Sequence, residues 1–318
     1  MRLLAGDVGG TKTLLQLVDV NADGRSVALE RRFESGRYRT FDDMLDEFVM
    51  LRHDLPIDGA CLAVAGPVHD GRAEITNLRW KMDATTLASR FGIRRVTLIN
   101  DFFAVALAVP LLGEADLVTI NPGKRDPVGP IGIVGAGTGL GEAIVVHDGV
   151  RWNVVASEGG HADFAPQSEE QAGLFIALHR KLGHVSWERV LSGMGIVNIH
   201  NFLSGLDRRY DENLPREIAD AATGGDETAL KTLGTFVDIY GAEAGNMALR
   251  VLARGGIFIA GGVAVKNLSR FTDGRFLQAF LRKGRFRAML ADVPLYVIIN
   301  PSVGVLGAAE MAHRAMAE

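Results

Sequence analysis

The chain has 318 residues, 47% of them hydrophobic and 23% charged, which matches a soluble globular protein and exceeds one ordinary core, so two domains are expected. Its formal net charge of −4 leaves no electrostatic footprint for nucleic acid or an anionic membrane surface, and no stretch approaches the roughly 20 apolar residues of a membrane span. The single cysteine, Cys61 in the apolar run GACLAVAG, excludes an intrachain disulfide and a cysteine zinc cluster.

Residues 2–9, 13–20 and 26–34 read as three consecutive strands. The first two flank a Gly-Gly-Thr tip in RLLAGDVGGTKTLLQLVDV, so this unit reads strand, turn, strand. FDDMLDEFVMLRHD (41–54) has the periodicity of an amphipathic helix, GACLAVAG that of a buried strand, and Asp83 is placed to cap a helix reaching Phe91. VTLIN then reads as a strand and FFAVALAVPLL as a helix. Asn121-Pro122-Gly123 through Gly129-Pro130 is a turn-rich break, which puts a domain junction near residues 110–130. The pattern restarts with the strands IGIVG, GEAIVVHD and RWNVVAS, and the first two again flank a Gly/Thr tip. A helical tract covers most of 167–254, followed by the buried strand GIFIAGG, the strand PLYVIIN and a final helix, VGVLGAAEMAHRAMA. The expected division is a small α/β domain over 1–110, to which the helix 302–318 returns, and a large α/β domain over 111–301.

Two Gly/Thr tips point to a nucleotide-phosphate clamp built from similar halves. Backbone amides approach phosphate oxygens closely only where no Cβ intervenes, and successive amides form an anion-binding nest. One tip alone is equally a hairpin turn. Residues 135–141, Gly-Ala-Gly-Thr-Gly-Leu-Gly, do not fit the dinucleotide fingerprint and have no helix behind them, and neither tip is a P-loop.

Asn100-Asp101 falls where a strand ends and a helix begins, the place where open α/β sheets bind ligands. The pair is either a helix cap or, with Asp101 ionised near its ordinary pKa of ~3.9, an acceptor for the proton of an attacking hydroxyl. Ser157-Glu158-Gly159-Gly160-His161-Ala162-Asp163 sets two acids and a histidine around a Gly-Gly turn, which suits either hydrogen bonding to sugar hydroxyls or a solvated surface turn. Metal ligation there lacks a second histidine. Trp187 to Gly193 reads as a helix end closed by glycine, with Glu188 a solvent-facing acid. The glycine-rich strand end of residues 255–263 reads either as a buried parallel strand with a glycine turn or as a place where a nucleotide base and ribose lie.

Taken in order, GDVGGTKT, LINDFFAVA, GAGTGLG, SEGGHADFAP, ERVLSG and GGIFIAGGV resemble the bacterial glucokinase family of the hexokinase, actin and Hsp70 superfamily, across nearly the whole chain. The resemblance implies a two-domain actin-like (ribonuclease H-like) α/β fold with a ligand cleft between domains. It implies phosphate-binding hairpins at Asp7, Gly9, Gly10 and Thr11 and at Gly137, Thr138 and Gly139, with Asp7 approaching Mg²⁺ through water. Asn100, Asp101, Glu158, His161 and Glu188 form the implied sugar set, Gly261 and Gly262 the adenosine site, and Asp101 is the implied catalytic base. Lys12 stands where many relatives carry asparagine and receives no phosphate contact. The His-Cys₃ zinc site of the related repressor/ORF/kinase group cannot be built with Cys61 alone, so no zinc is expected.

The expected activity is Mg²⁺- and ATP-dependent phosphorylation of glucose to glucose 6-phosphate, an entry step to glycolysis, in the cytoplasm and, by the resemblance, as a homodimer. Mannose, fructose or an N-acetylhexosamine as acceptor, and ADP or polyphosphate as donor, stay open. A sugar-sensing repressor would need a DNA-binding module, whereas the first hairpin follows Met1 almost at once. An actin-like or Hsp70-like ATPase acting on protein partners would not need the Asn-Asp and Glu-Gly-Gly-His residues. No signal peptide precedes the first strand, which agrees with a cytoplasmic site.

Overall fold

The computed structural model describes residues 1–22, 24–51, 56–75 and 78–317. It contains two compact units, residues 1–112 with 300–318, and residues 113–299.

The first unit holds β1 (Arg2–Val8), β2 (Lys12–Asn21), β3 (Gly24–Glu34), β4 (Gly59–Val64), β5 (Val68–His69), β6 (Arg72–Ile75), β7 (Trp80–Asp83) and β8 (Arg95–Asn100). Five of these strands form a sheet in the order β3-β2-β1-β4-β8, in which β1, β4 and β8 are parallel and β2 and β3 antiparallel. Its helices are α1 (Phe41–Met50), α2 (Ala84–Phe91) and α3 (Asp101–Ala108), joined by the C-terminal helix (Val303–Ala317). The strand, turn, strand reading of residues 2–20 is realised as the β1–β2 hairpin. Asp83 caps α2, accepting from the Thr86 N–H at 2.9 Å. The helix expected over 41–54 ends at Met50, and residues 52–54 lie outside the described set.

β4 is buried along its whole length, and β1 nearly so, because the sheet is covered on both faces. On one face Leu4 and Leu62 meet Phe41, Met44 and Phe48 of α1 and Trp80 of the small sheet β5-β6-β7. On the other, the C-terminal helix packs on β1, β4 and α3. Small residues permit that approach: a Cβ on Gly307 would stand 1.8 Å from the Ala104 carbonyl oxygen. Cys61 fills core here, and burial pushes its thiol pKa up. The antiparallel strands β5 to β7 were not expected, since runs of two to four residues carry no readable period.

The second unit holds β9 (Leu117–Asn121), β10 (Ile131–Ala136), β11 (Leu140–His147), β12 (Trp152–Ser157), β13 (Gly256–Ala260) and β14 (Leu295–Ile298). The sheet order is β12-β11-β10-β13-β14-β9, with β10, β13 and β14 parallel and the other pairings antiparallel. β10 and β11 form a second hairpin at the second Gly/Thr tip. β9 runs into Asn121-Pro122, the start of the stretch read as a turn-rich break.

The tract 167–254 divides into α4 (Glu169–Leu182), α5 (Gly193–Ser204), α6 (Leu214–Thr223) and α7 (Glu227–Val251). Four short helices follow β13 and precede β14: α8 (Gly262–Lys266), α9 (Leu268–Thr272), α10 (Arg275–Leu281) and α11 (Arg287–Ala291). Tyr240 of α7 is fully buried beneath β10. Its hydroxyl donates to the Val134 carbonyl and accepts from the Ala136 N–H, each at 3.0 Å, so the strand end before Gly137 is fastened from below.

Candidate active site

In the first unit, the C-terminal ends of the parallel strands carry the residues read as functional, the edge where α/β sheets bind ligands. Asp7 is the penultimate residue of β1 and lies in register with Ala63 of β4, and Asn100 ends β8 in register with Val64. Asn100 is the N-cap of α3: its Oδ1 accepts from the Phe102 and Phe103 N–H groups at 2.9 and 3.2 Å, and its Nδ2 donates to the Gly66 carbonyl at 3.2 Å. The cap therefore fixes the first helical residue, Asp101, whose Oδ1 accepts from the Phe102 N–H at 2.8 Å.

The structure brings Asp7 and Asp101 within electrostatic reach of each other. Burial and, after it, the charge of Asp101 together raise the Asp7 pKa to about 6, with Arg32 opposing them. Burial also raises Asp101 above the ordinary carboxylate value assumed from sequence, against the lowering effect of the Phe102 N–H. Gly304, at the start of the C-terminal helix, leaves space for Asp7: a Cβ there would lie 2.7 Å from Asp7 Oδ2.

The tip Gly9-Gly10-Thr11 is closed by the Gly9 N–H on the Lys12 carbonyl at 3.1 Å. Ser35 braces it, donating Oγ to the Gly9 carbonyl at 2.7 Å while its N–H meets the Thr11 carbonyl at 3.0 Å. Nothing local marks Ser35 for this task. Its part follows from the pairing of β2 with β3, which returns the chain to the tip.

In the second unit, the tip Gly137-Thr138-Gly139 is closed by the Gly137 N–H on the Gly139 carbonyl at 2.8 Å. Gly261 sits beside it after β13, with φ of 91°, a conformation that favours glycine. A Cβ at Gly261 would stand 2.3 Å from the Ala136 carbonyl oxygen, so Gly261 and Gly262 adjoin the second hairpin.

Residues 187–193 correct the sequence reading. Trp187–Arg189 is one 3₁₀ turn, and Gly193 begins α5 instead of ending a helix. Ser192 is the cap, donating Oγ to the Glu188 carbonyl at 2.8 Å and accepting from the Gly195 N–H at 3.0 Å. Capping-type Ser before a Gly-rich apolar run was the available signal. Nor does the Glu188 carboxylate merely face solvent: its Oε2 accepts from the Leu140 N–H at 3.0 Å, directly behind the tip. The Gly193 N–H donates to the Gly137 carbonyl at 2.9 Å, a second tie to the same tip.

Gly159–His161 form another 3₁₀ turn with Glu158 as its N-cap residue, and His161 Nε2 lies 3.8 Å from Glu158 Oε2, with side chains 60% and 92% exposed. Both therefore retain hydrogen-bonding capacity for a ligand. The Trp187 N–H donates to the Ala162 carbonyl at 3.0 Å, which brings Glu158, His161 and Glu188 into one neighbourhood. Asp163 turns to His184 instead, at 2.9 Å.

No group of three or more His, Cys, Asp or Glu side chains able to hold a metal occurs among the described residues. Asp7 suits a different type of site, since an ion such as Mg²⁺ keeps several waters, takes further ligands from phosphate and needs as little as one protein carboxylate. No helix among the described residues is long and apolar enough to cross a membrane.

The family model described as Glucokinase matches residues 4–315. A glucokinase of Nostoc sp. (strain PCC 7120) is 41% identical, over 98% of this chain and 99% of its own. The crystal structure of a glucokinase from an Antarctic psychrotroph superposes with a TM-score of 0.88 at 31% identity, covering 98% of this chain and 99% of that one. The glucokinase of Balamuthia mandrillaris, crystallised with glucose, gives a TM-score of 0.78 at 22% identity over 98% and 93% of the two chains, a likeness of fold. The fold is thus the two-domain, actin-like α/β fold of sugar kinases. By the family match along almost its entire length and the identity to full-length relatives, the chain belongs to the glucokinase family.

Proposed function

We propose that the protein is an ATP:D-glucose 6-phosphotransferase. The observation that carries this reading is the half-buried carboxylate of Asp101, held at the C-terminal end of β8 by the Asn100 cap, within electrostatic reach of Asp7. As base, Asp101 accepts the proton of the glucose 6-hydroxyl while that oxygen forms a bond to the γ-phosphorus; the bond from γ-phosphorus to the β,γ-bridging oxygen breaks and ADP leaves. A carboxylate whose pKa is raised by burial is a better proton acceptor than one in water.

Asn100, Glu158, His161 and Glu188 bind and orient the sugar hydroxyls. The amides of Gly10 and Thr11 and of Thr138 and Gly139 take the phosphates, with Gly9 and Gly137 closing the two tips by their own N–H groups so that those amides face the ligand, and Gly261 with Gly262 takes the adenosine. Catalysis is then mainly positioning and electrostatic stabilisation by donors already in place. Asp7 would hold Mg²⁺ through water, where the ion would offset charge on the phosphate oxygens. Water is excluded from the reacting phosphate, since it would otherwise replace the sugar as nucleophile. In this reading the protein acts as a homodimer in the cytoplasm at the entry to glycolysis, without a zinc site.

A coupled assay of ADP release across a panel of hexoses tests the reading. Glucose is expected to give the highest kcat/KM. Turnover of another hexose in preference would reassign the acceptor, and no turnover of any sugar would leave a sugar-binding protein on a kinase scaffold.

A further inference from the structure

The turn that carries Glu158 and His161 rests on a buried pair of acids. Glu142 lies on β11 in register with Ser157 of β12 and is 3% exposed. Its Oε2 lies so close beneath the turn that a Cβ on Gly159 would stand 2.0 Å from it, and a Cβ on the next glycine would stand 2.3 Å from the Leu140 carbonyl oxygen. Ser157 Oγ accepts from the Gly159 N–H at 3.0 Å. The other oxygen of Glu142, Oε1, is buried without a hydrogen-bond partner among the described residues.

Behind Glu142 stands Glu243 of α7, fully buried and hydrogen-bonded to it. Arg250 forms a short ion pair with Glu243 and lies 3.9 Å from Glu142 Oε2. Asn246 donates to Glu243 at 2.8 Å and accepts from Lys283 at 2.6 Å. Two adjacent buried carboxyls served by one guanidinium do not both stay ionised. Burial raises the pKa of Glu243 too, but Asn246 and Arg250 act against it and favour the anion there, while burial and then the charge of Glu243 push the Glu142 pKa up to about 8.

We propose that Glu142 is a positioning residue for sugar recognition, its carboxyl held against Gly159 by Glu243 and Arg250 so that Glu158 and His161 keep their places on the turn. The inference rests on the proposed sugar role of that turn. Glu142 itself touches neither substrate. In its neutral form it donates to Glu243 and stays in place. Once ionised, it is repelled by Glu243, competes for Arg250 and demands water, which disturbs the turn packed on it. The other groups facing the pair are the Tyr240 hydroxyl, whose proton burial retains, and Lys283 beyond Asn246.

The test is the KM for glucose and for ATP as a function of pH, from about 6 to about 9.5, in the parent enzyme, E142Q, E142A and H161A. In the parent, the glucose KM is expected to rise as pH passes through about 8 while the ATP KM changes little. E142Q preserves size and a donor but has no proton to lose there, so its glucose KM should match the parent's at neutral pH and lack the alkaline rise. E142A should raise the glucose KM about tenfold at neutral pH with little change in kcat, as expected for losing one buried contact that orders a binding turn. An alkaline rise in E142Q equal to the parent's would overturn the inference, and so would an E142A effect shared equally by ATP. If E142A does not fold, the E142Q profile decides. H161A separates the two levels: an unchanged glucose KM in H161A removes the sugar role of the turn, whereas a raised one beside parent-like Glu142 variants removes only the role of Glu142.

Discussion

The Glu188 carboxylate accepts a hydrogen bond from the Leu140 N–H at 3.0 Å, and Gly139 lacks the Cβ that would stand 2.5 Å from the same oxygen. A residue assigned to the sugar thereby also holds the second phosphate hairpin. Charge-assisted bonds of this kind contribute about 1.5–3 kcal/mol where solvent is limited. E188A is expected to raise the KM for glucose and for ATP together, the latter by about tenfold, whereas E188Q should spare ATP because the amide oxygen still accepts from Leu140. Steady-state kinetics in both substrates check this, and an ATP KM indifferent to E188A would detach Glu188 from the hairpin.

D101N should leave the fold and glucose binding near the parent's and lower kcat by at least the ~10²-fold typical of a lost general base. The exchange is nearly isosteric, and the amide oxygen can still accept from the Phe102 N–H. Near-normal turnover of the purified variant would remove Asp101 from the base role.

E158Q and H161A are expected to raise the KM for glucose far more than the KM for ATP, because both side chains stand on an exposed turn with capacity for ring hydroxyls. Selectivity is the readout. A shift confined to ATP would reverse the assignment of the turn.

The Asp7 pKa of about 6 sets a pH limb for nucleotide binding. An acid whose pKa is raised gains its proton as pH falls through that value, and a protonated Asp7 cannot support Mg²⁺. Affinity for Mg²⁺ with a non-hydrolysable ATP analogue should therefore hold above pH 6 and decline below it, approaching about tenfold per pH unit. In D101N the neighbouring charge is absent, so the limb should move to lower pH. Calorimetric titration of both proteins reads the displacement, since the ligand's own titration is common to them. Coincident limbs would show that Asp101 does not act on Asp7.

Activity should require Mg²⁺ and no tightly bound transition metal. Elemental analysis of active protein, before and after chelation, checks the second part. Stoichiometric zinc lost together with activity would contradict it, and recovery on adding Mg²⁺ alone is the expected result.

What was legible in the sequence is what short segments specify for themselves. Apolar runs on either side of Gly9-Gly10-Thr11 and of Gly137-Thr138-Gly139 have nowhere to go but into adjacent antiparallel strands, and both became hairpins. Asn100 and Asp83 announce helix starts because a cap is a contact over three residues. The strands of two to four residues at 68–83 were too short to show a period, and Trp187 to Gly193 misled because a glycine at a helix boundary closes one helix or opens another with equal ease. The sequence by itself therefore determined the tips, the caps and the family motifs. Tertiary structure alone decided that Asp7 lies within electrostatic reach of Asp101, that Glu188 reaches back to Leu140, that Ser35 braces the first tip and that Glu142 lies under Gly159. These contacts depend on strand order and register, which arise from packing the sheets and helices of each unit around a shared core and leave no mark on the local pattern of any one segment.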